Sequence, residues 1–230
     1  MALSVGNTAS GEDINSSAFS CTLNVDATAN LVVVGVGIRH DGAEIAPPTS
    51  VTVGGDTCTE IVTKNITGNY SSLWYKTNPS TGNQTVTANY SDVGGDDYQV
   101  IGAVAFIGAS TTTPYENAAS ATGTSSTPNV NVTSETGSIV IDCVSSSVSQ
   151  TTTLTVGTNQ TQRVRDASTG GYLTGGQREL FGMSTEAGVT TTAMGWTFGV
   201  STEWGACGAS IKAAATGEPA PLKEFDVRFG

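Results

Sequence analysis

The chain has 230 residues, of which 20 are acidic and 9 basic, for a net charge of −11. That balance repels nucleic acid and anionic membrane surfaces, so neither is an expected partner. Charged residues make up 13% of the chain, against a usual share of about 25%. Ser, Thr, Asn and Gly fill the difference, but they alternate with regular apolar runs and do not form the long polar blocks of a disordered chain.

The N-terminal stretch MALSVGNTASGEDINSSAF (1–19) has no basic start and no apolar run of signal-peptide length. No later run approaches a membrane span, so the expectation is a chain made in the cytosol. NLVVVGVGIRH (30–40) is apolar on both faces, the pattern of a central strand. TSVTVGGDTCTEIVTK (49–64) predicts a hairpin turning at Gly54-Gly55-Asp56. Residues 70–77 and 83–91 predict two strands joined by Asn78-Pro79-Ser80-Thr81-Gly82. YQVIGAVAFIGAS (98–110) is again apolar on both faces, and NVNVTSETGSIVIDCVSSS (129–147) predicts two strands around Glu135-Thr136-Gly137.

The last third continues with strands at 151–156, 161–168, 178–187, 191–200 and 204–214. In AMGWTFGV, Met194, Trp196, Phe198 and Val200 share one face, while Gly195, Thr197 and Gly199 share the other, as in a half-buried strand. About a dozen strands, Gly-rich turns and almost no helix signal predict an all-β fold, a two-sheet antiparallel sandwich of jelly-roll type. Val33, Phe106, Ile141, Met194, Trp196 and Phe198 are the expected core. Composition breaks only near Gly217, so the sandwich is assigned to residues 1–213, and a linker and arm to 214–230.

Little in this chain has the form of an active site. His40 is the single histidine, and it reads as a strand-end polar residue beside Asp41 and Gly42. No nucleophile-elbow or metalloprotease motif occurs. Glu60, Glu179, Glu186 and Glu203 are the carboxylates on which glycoside hydrolysis could be built, but alternation puts most of them on Thr- and Ser-bearing faces, which suggests solvent. No catalytic residue is therefore expected. The four cysteines, Cys21, Cys58, Cys143 and Cys207, lack zinc-ligand spacing. The favoured reading is a buried thiol packing as a small hydrophobe; a disulfide is the lesser alternative, and the sequence does not say which cysteines would pair.

Asp92, Asp96 and Asp97 cluster in SDVGGDDYQV (91–100). Calcium is the cation such an oxygen-rich loop would take, but the spacing is not that of an EF-hand, and an acidic solvated loop is the favoured reading. Asn65 and Asn131 stand in N-x-[ST] sites, which so Ser/Thr-rich a chain produces by chance. Trp74, Tyr75, Tyr90, Trp196 and Trp204 are the aromatics that could stack on a sugar. Trp74 and Tyr75 point to opposite faces of one strand, which leaves one of them for an outside contact unless both faces are covered.

Several segments, LWYKTNPSTG (73–82), GAVAFIGASTTTP (102–114), SIVIDCVSS (138–146), TQRVRD (161–166) and WGACGASIK (204–212), follow a recurring order. In that order, residues 1–213 resemble a family of β-sandwich modules found in phage structural proteins and in large bacterial surface proteins. The resemblance implies a sandwich fold with a structural or adhesive role and no shared catalytic motif. VTVGGDTCTEI (51–61) departs from the family pattern by carrying Cys58 where an aliphatic residue is usual, which implies a buried position.

Three functions compete at this point. The first is a virion structural protein, a capsid decoration (cement) protein or a head or tail appendage, made in the host cytoplasm and binding copies of itself and other virion proteins. The second is an extracellular carbohydrate-binding adhesin or receptor-binding tip. The third is a secreted glycan-active enzyme. The first accounts for the lack of a signal-peptide pattern, the stand-alone module and the absent catalytic set, and the end of the chain offers it a contact. After Pro219 and Pro221, Phe225, Val227 and Phe229 alternate with Glu224, Asp226 and Arg228. This short amphipathic strand either folds back on its own sandwich or adds to the sheet edge of a partner, and the second is the favoured expectation.

Overall fold

Each half of the chain builds the same arrangement of strands. The computed structural model describes residues 1–40, 45–91, 97–148, 153–166 and 178–215. The first half contains β1 (Ser4–Ile14), β2 (Ala18–Val25), β3 (Ala29–Arg39), β4 (Ser50–Val53), β5 (Asp56–Thr57), β6 (Thr59–Ile66), β7 (Asn69–Thr77), β8 (Gly82–Asn89) and β9 (Tyr98–Ile107). The second contains β10 (Tyr115–Ser125), β11 (Asn129–Thr133), β12 (Ile139–Val148), β13 (Leu154–Val156), β14 (Thr161–Asp166), β15 (Arg178–Ala187), β16 (Thr191–Phe198) and β17 (Thr202–Ile211). Every ladder among the described residues is antiparallel.

The first half forms a large sheet in the order β1-β9-β3-β7-β6 and a small one, β2-β8-β4-β5. The second half forms β10-β17-β12-β15-β14 and β11-β16-β13. Exchanging β1 for β10, β2 for β11, β3 for β12, β4 for β13 and β6 to β9 for β14 to β17 converts one set into the other, apart from β5, which has no counterpart among the described residues. The chain is thus all-β and antiparallel, as expected, and its two-sheet sandwich unit occurs twice.

Three apolar layers hold the four sheets together. Phe19, Leu23, Val51 and Val86 of the first small sheet pack on Val32, Val34, Val36, Ile101 and Ala103 of the first large sheet. Leu31, Val33, Val104 and Phe106, on the other face of that large sheet, meet Ile141, Phe181, Met183 and Ala209 of the second large sheet. Val140, Val144 and Ala206 then pack on Val130, Val132, Met194, Trp196 and Phe198 of the second small sheet. All six residues expected in the core are buried, divided between the central layer and the second sandwich. The large sheets are the inner layers, which is why β3 is buried along its whole length and β9 along all but its last residue. Their near-continuous apolar runs are what two covered faces require.

The two large sheets interlock through glycine. A Cβ on Gly37 would lie 2.6 Å from Phe181 Cδ2, and one on Gly102 would lie 2.6 Å from Met183 Sδ. The missing side chains leave the hollows that these two residues of β15 fill.

Several predicted strand pairs separate into different sheets. The hairpin at Gly54 (φ 61°) and Gly55 (φ 89°) forms, but only Asp56 and Thr57 return along β4. Past Cys58 the chain leaves the small sheet, and β6 pairs with β7 in the large one. Likewise β7 and β8 lie in different sheets, as do β11 and β12. Each turn reverses the chain while carrying it across the sandwich. Strands β1 and β10, for which the sequence has no clear periodicity, are the outer strands of the large sheets. Val200 does not continue the buried face of β16: it lies beyond the strand and is exposed.

Candidate functional site

The most polar constellation lies where β3 ends and β9 begins. His40 follows β3 directly, and its Nδ1 hydrogen-bonds the Asp97 carboxylate just before β9. Asp97 is fully buried, while the His40 side chain is 15% exposed. The Asp97 N–H donates to Asn15 Oδ1 (2.7 Å), and the Asn15 N–H returns to the Asp97 carbonyl (3.1 Å). Asn15 holds a left-handed φ of 52° in the turn between β1 and β2, a conformation Asn tolerates better than most residues. Next to it Gln99 closes a two-way link with Ser16, at 3.0 and 2.9 Å. Tyr98 donates its hydroxyl to Glu12, and buried Arg39 donates from Nε to Ser147 Oγ (2.7 Å), joining the two halves of the chain.

The carboxylate on Nδ1 holds the imidazole in one orientation. Among the described residues, no serine or cysteine side chain hydrogen-bonds that histidine. The geometry therefore amounts to an imidazole held by a buried carboxylate. Its visible effect is to tie the ends of β3 and β9 to the β1–β2 turn.

A second buried network lies inside the second sandwich. Asp142 Oδ1 accepts from the Ser184 N–H (2.9 Å) and from Ser184 Oγ (2.6 Å), while Oδ2 accepts from Trp196 Nε1 (2.7 Å). Gln160 extends it, donating to Ser184 Oγ (2.6 Å) and accepting from the Gly195 N–H (2.8 Å). Burial pushes the Asp142 pKa up to about 7, against the opposing pull of its donors. The sequence carried one signal for this group, a lone acid inside the apolar run SIVIDCVSS.

A third polar seam joins the two large sheets. Ser71 and Ser145 share a hydrogen bond, Ser71 Oγ donates to the Gly205 carbonyl (3.1 Å), and Ser145 Oγ meets the Tyr70 carbonyl (3.1 Å). All four cysteines are buried free thiols, as expected. Burial pushes the Cys21 and Cys58 thiols up to about 12.

Of the predicted site residues, Phe225, Val227 and Phe229 lie outside the described residues, as do Asp92 and Asp96. Asp97 is described, and its carboxylate is turned to His40. Glu60 and Glu203 are exposed and Glu186 is half-buried, but Glu179 is fully buried, contrary to the solvent expectation. It faces the central layer, with Oε1 3.2 Å from where a Gly37 Cβ would sit. Glu179 and Glu186 stand near opposite ends of β15, about 23 Å apart at ~3.3 Å per residue.

The aromatics are all drawn into packing. Tyr90, Trp196 and Trp204 are buried. Half-buried Trp74 packs on the first sandwich core and donates to Ser72 Oγ (2.8 Å). Half-buried Tyr75 packs on the central layer, edge-on to Tyr115 with ring centroids 5.9 Å apart. The two rings pack on opposite faces of β7, each against a different apolar layer. No protein-family model, curated protein or solved structure matches this chain.

Proposed function

We propose that the chain is a structural protein of a virus particle, a capsid decoration (cement) protein or a head or tail appendage, acting through contacts with copies of itself and with other particle proteins. The observation that carries this reading is the outer edge of β10. An edge strand presents unpaired N–H and C=O groups, and proteins that must stay apart blunt such edges with charges, bulges or proline. Three of the four outer strands of the large sheets are blunted in this way. Strand β1 has Glu12, Asp13 and a register shift between Val5 and Thr8. Strand β6 has Glu60, Lys64 and a shift between Glu60 and Val62, and β14 has Arg163, Arg165 and a shift between Gln162 and Val164.

Strand β10 pairs only with β17 among the described residues, and its one irregularity is at its start, between Tyr115 and Asn117. From Asn117 to Ser125 it has no charge and no proline. Such an edge suits main-chain pairing with another chain. The alternating segment with Phe225, Val227 and Phe229 is the piece we propose for that contact. The resemblance to phage β-sandwich modules supports the same reading.

Cryo-electron microscopy of purified particles tests it. Density for this four-layered unit on the shell or tail is expected, and absence of the chain from purified virions ends the proposal. Truncation after Gly217 is expected to leave a folded protein that no longer assembles or binds particles. Normal assembly of the shortened chain removes the arm from the proposal.

A further inference from the structure

Cys143 and Cys207 stand directly opposite each other in the β12–β17 ladder. Both belong to the central apolar layer, so both side chains leave the sheet on the same face. Each thiol donates to a carbonyl of β7 across the layer, Cys143 to Ser72 (3.5 Å) and Cys207 to Ser71 (3.4 Å). Directly opposed residues of an antiparallel pair have Cα atoms about 4.5 to 5.5 Å apart. A disulfide needs about 4.4 to 6.8 Å, so the spacing of opposed residues falls within the range a disulfide spans.

We propose that Cys143 and Cys207 form a latent cross-strand disulfide site, closed when the chain folds in the presence of a low-molecular-weight disulfide. One protein thiolate attacks oxidised glutathione and releases one glutathione thiol. The second protein thiol then displaces the other glutathione from the mixed disulfide. The net exchange converts two protein thiols and one glutathione disulfide into one protein disulfide and two glutathione thiols, with no other oxidant. The bond links adjacent strands of the second large sheet and closes the chain from 143 to 207.

Access sets when this happens. Neither residue has exposed surface in the folded chain, and burial, followed by the neighbouring Cys207 thiol, keeps Cys143 in its protonated, unreactive form. A chain folded under reducing conditions therefore seals both thiols, and they stay reduced afterwards in an oxidising medium. Cys21 and Cys58 lie in the first sandwich, in the layer on the far side of β3 and β9. They are separated from this pair by a sheet.

The test is to refold the reduced full-length chain from denaturant in a glutathione redox buffer, quench with an alkylating agent, and measure intact mass and peptide linkage. The expected product has lost two hydrogens, retains two of its four thiols, links the Cys143 and Cys207 peptides, and unfolds at a higher denaturant concentration than the reduced form. The folded reduced chain in the same buffer is expected to stay unlinked over the same time. Cys207→Ser is expected to abolish the link, with the serine hydroxyl keeping the hydrogen bond to Ser71, and Cys21→Ser is expected to leave the link intact. Absence of the 143–207 peptide overturns the proposal. So does a dominant bond through Cys21 or Cys58, or a linked product without the near-ultraviolet circular dichroism of the reduced fold.

Discussion

The buried carboxylate of Asp142 makes the second sandwich sensitive to pH in an unusual direction. In the unfolded chain its proton leaves near the ordinary value of 3.8, and in the folded chain burial holds it to about 7. Between those values folding takes up a proton. The stability contributed by this group is therefore fully present below the unfolded value, and it is lost as the pH rises through about 7. A gap of about three pKa units, at about 1.4 kcal/mol per unit, corresponds to ~4 kcal/mol. Replacing Asp142 by Asn removes the titration and keeps the shape. The amide NH2 must then face either the Ser184 N–H or Trp196 Nε1, both donors. That clash adds a penalty of roughly 1 to 3 kcal/mol that does not vary with pH. Urea unfolding of both proteins at intervals from about pH 4 to pH 8 isolates the effect, because the remaining carboxylates cancel in the difference. Wild type minus variant is expected to fall by ~4 kcal/mol as the pH rises across that window. A difference that stays flat with pH refutes the assignment of the raised pKa to Asp142.

Two further substitutions probe the packing. Gly37→Ala puts a methyl group 2.6 Å from the Phe181 ring between the large sheets, and is expected to cost about 1 to 3 kcal/mol. Phe181→Leu in the same chain should recover part of that loss, and additive effects in the double variant would show that the two residues do not meet. Trp196→Ala empties the site between Met194 and Phe198, removes a donor to Asp142, and is expected to cost about 3 to 5 kcal/mol. A melting curve like that of wild type would place Trp196 outside the core.

The features legible from the order of residues alone were local. Alternation of side chains placed Met194, Trp196 and Phe198 on one buried face, and runs apolar on both faces marked β3 and β9 as central. These readings depend only on the two-residue repeat of a strand and on the exclusion of apolar surface from water. Strands β1 and β10 escaped because outer strands bury little, and in YENAASATGTS the repeat runs between Ala or Gly and Ser or Thr, a contrast too small to mark a buried face.

Which strands share a ladder depends on how the whole chain packs. A turn such as Asn78–Gly82 reverses the chain equally well within a sheet or across a sandwich, and the choice depends on which apolar faces remain to be covered. The repeated topology, the glycine hollows that receive Phe181 and Met183, and the burial of Glu179 all follow from two large sheets meeting face to face. The site residues share this limit. His40 meets Asp97 across 57 residues of sequence, and Asp142 meets Trp196 across 54. A buried polar group must find partners wherever the fold supplies them, and for these pairs the partners come from different strands, brought together only when the sheets pack.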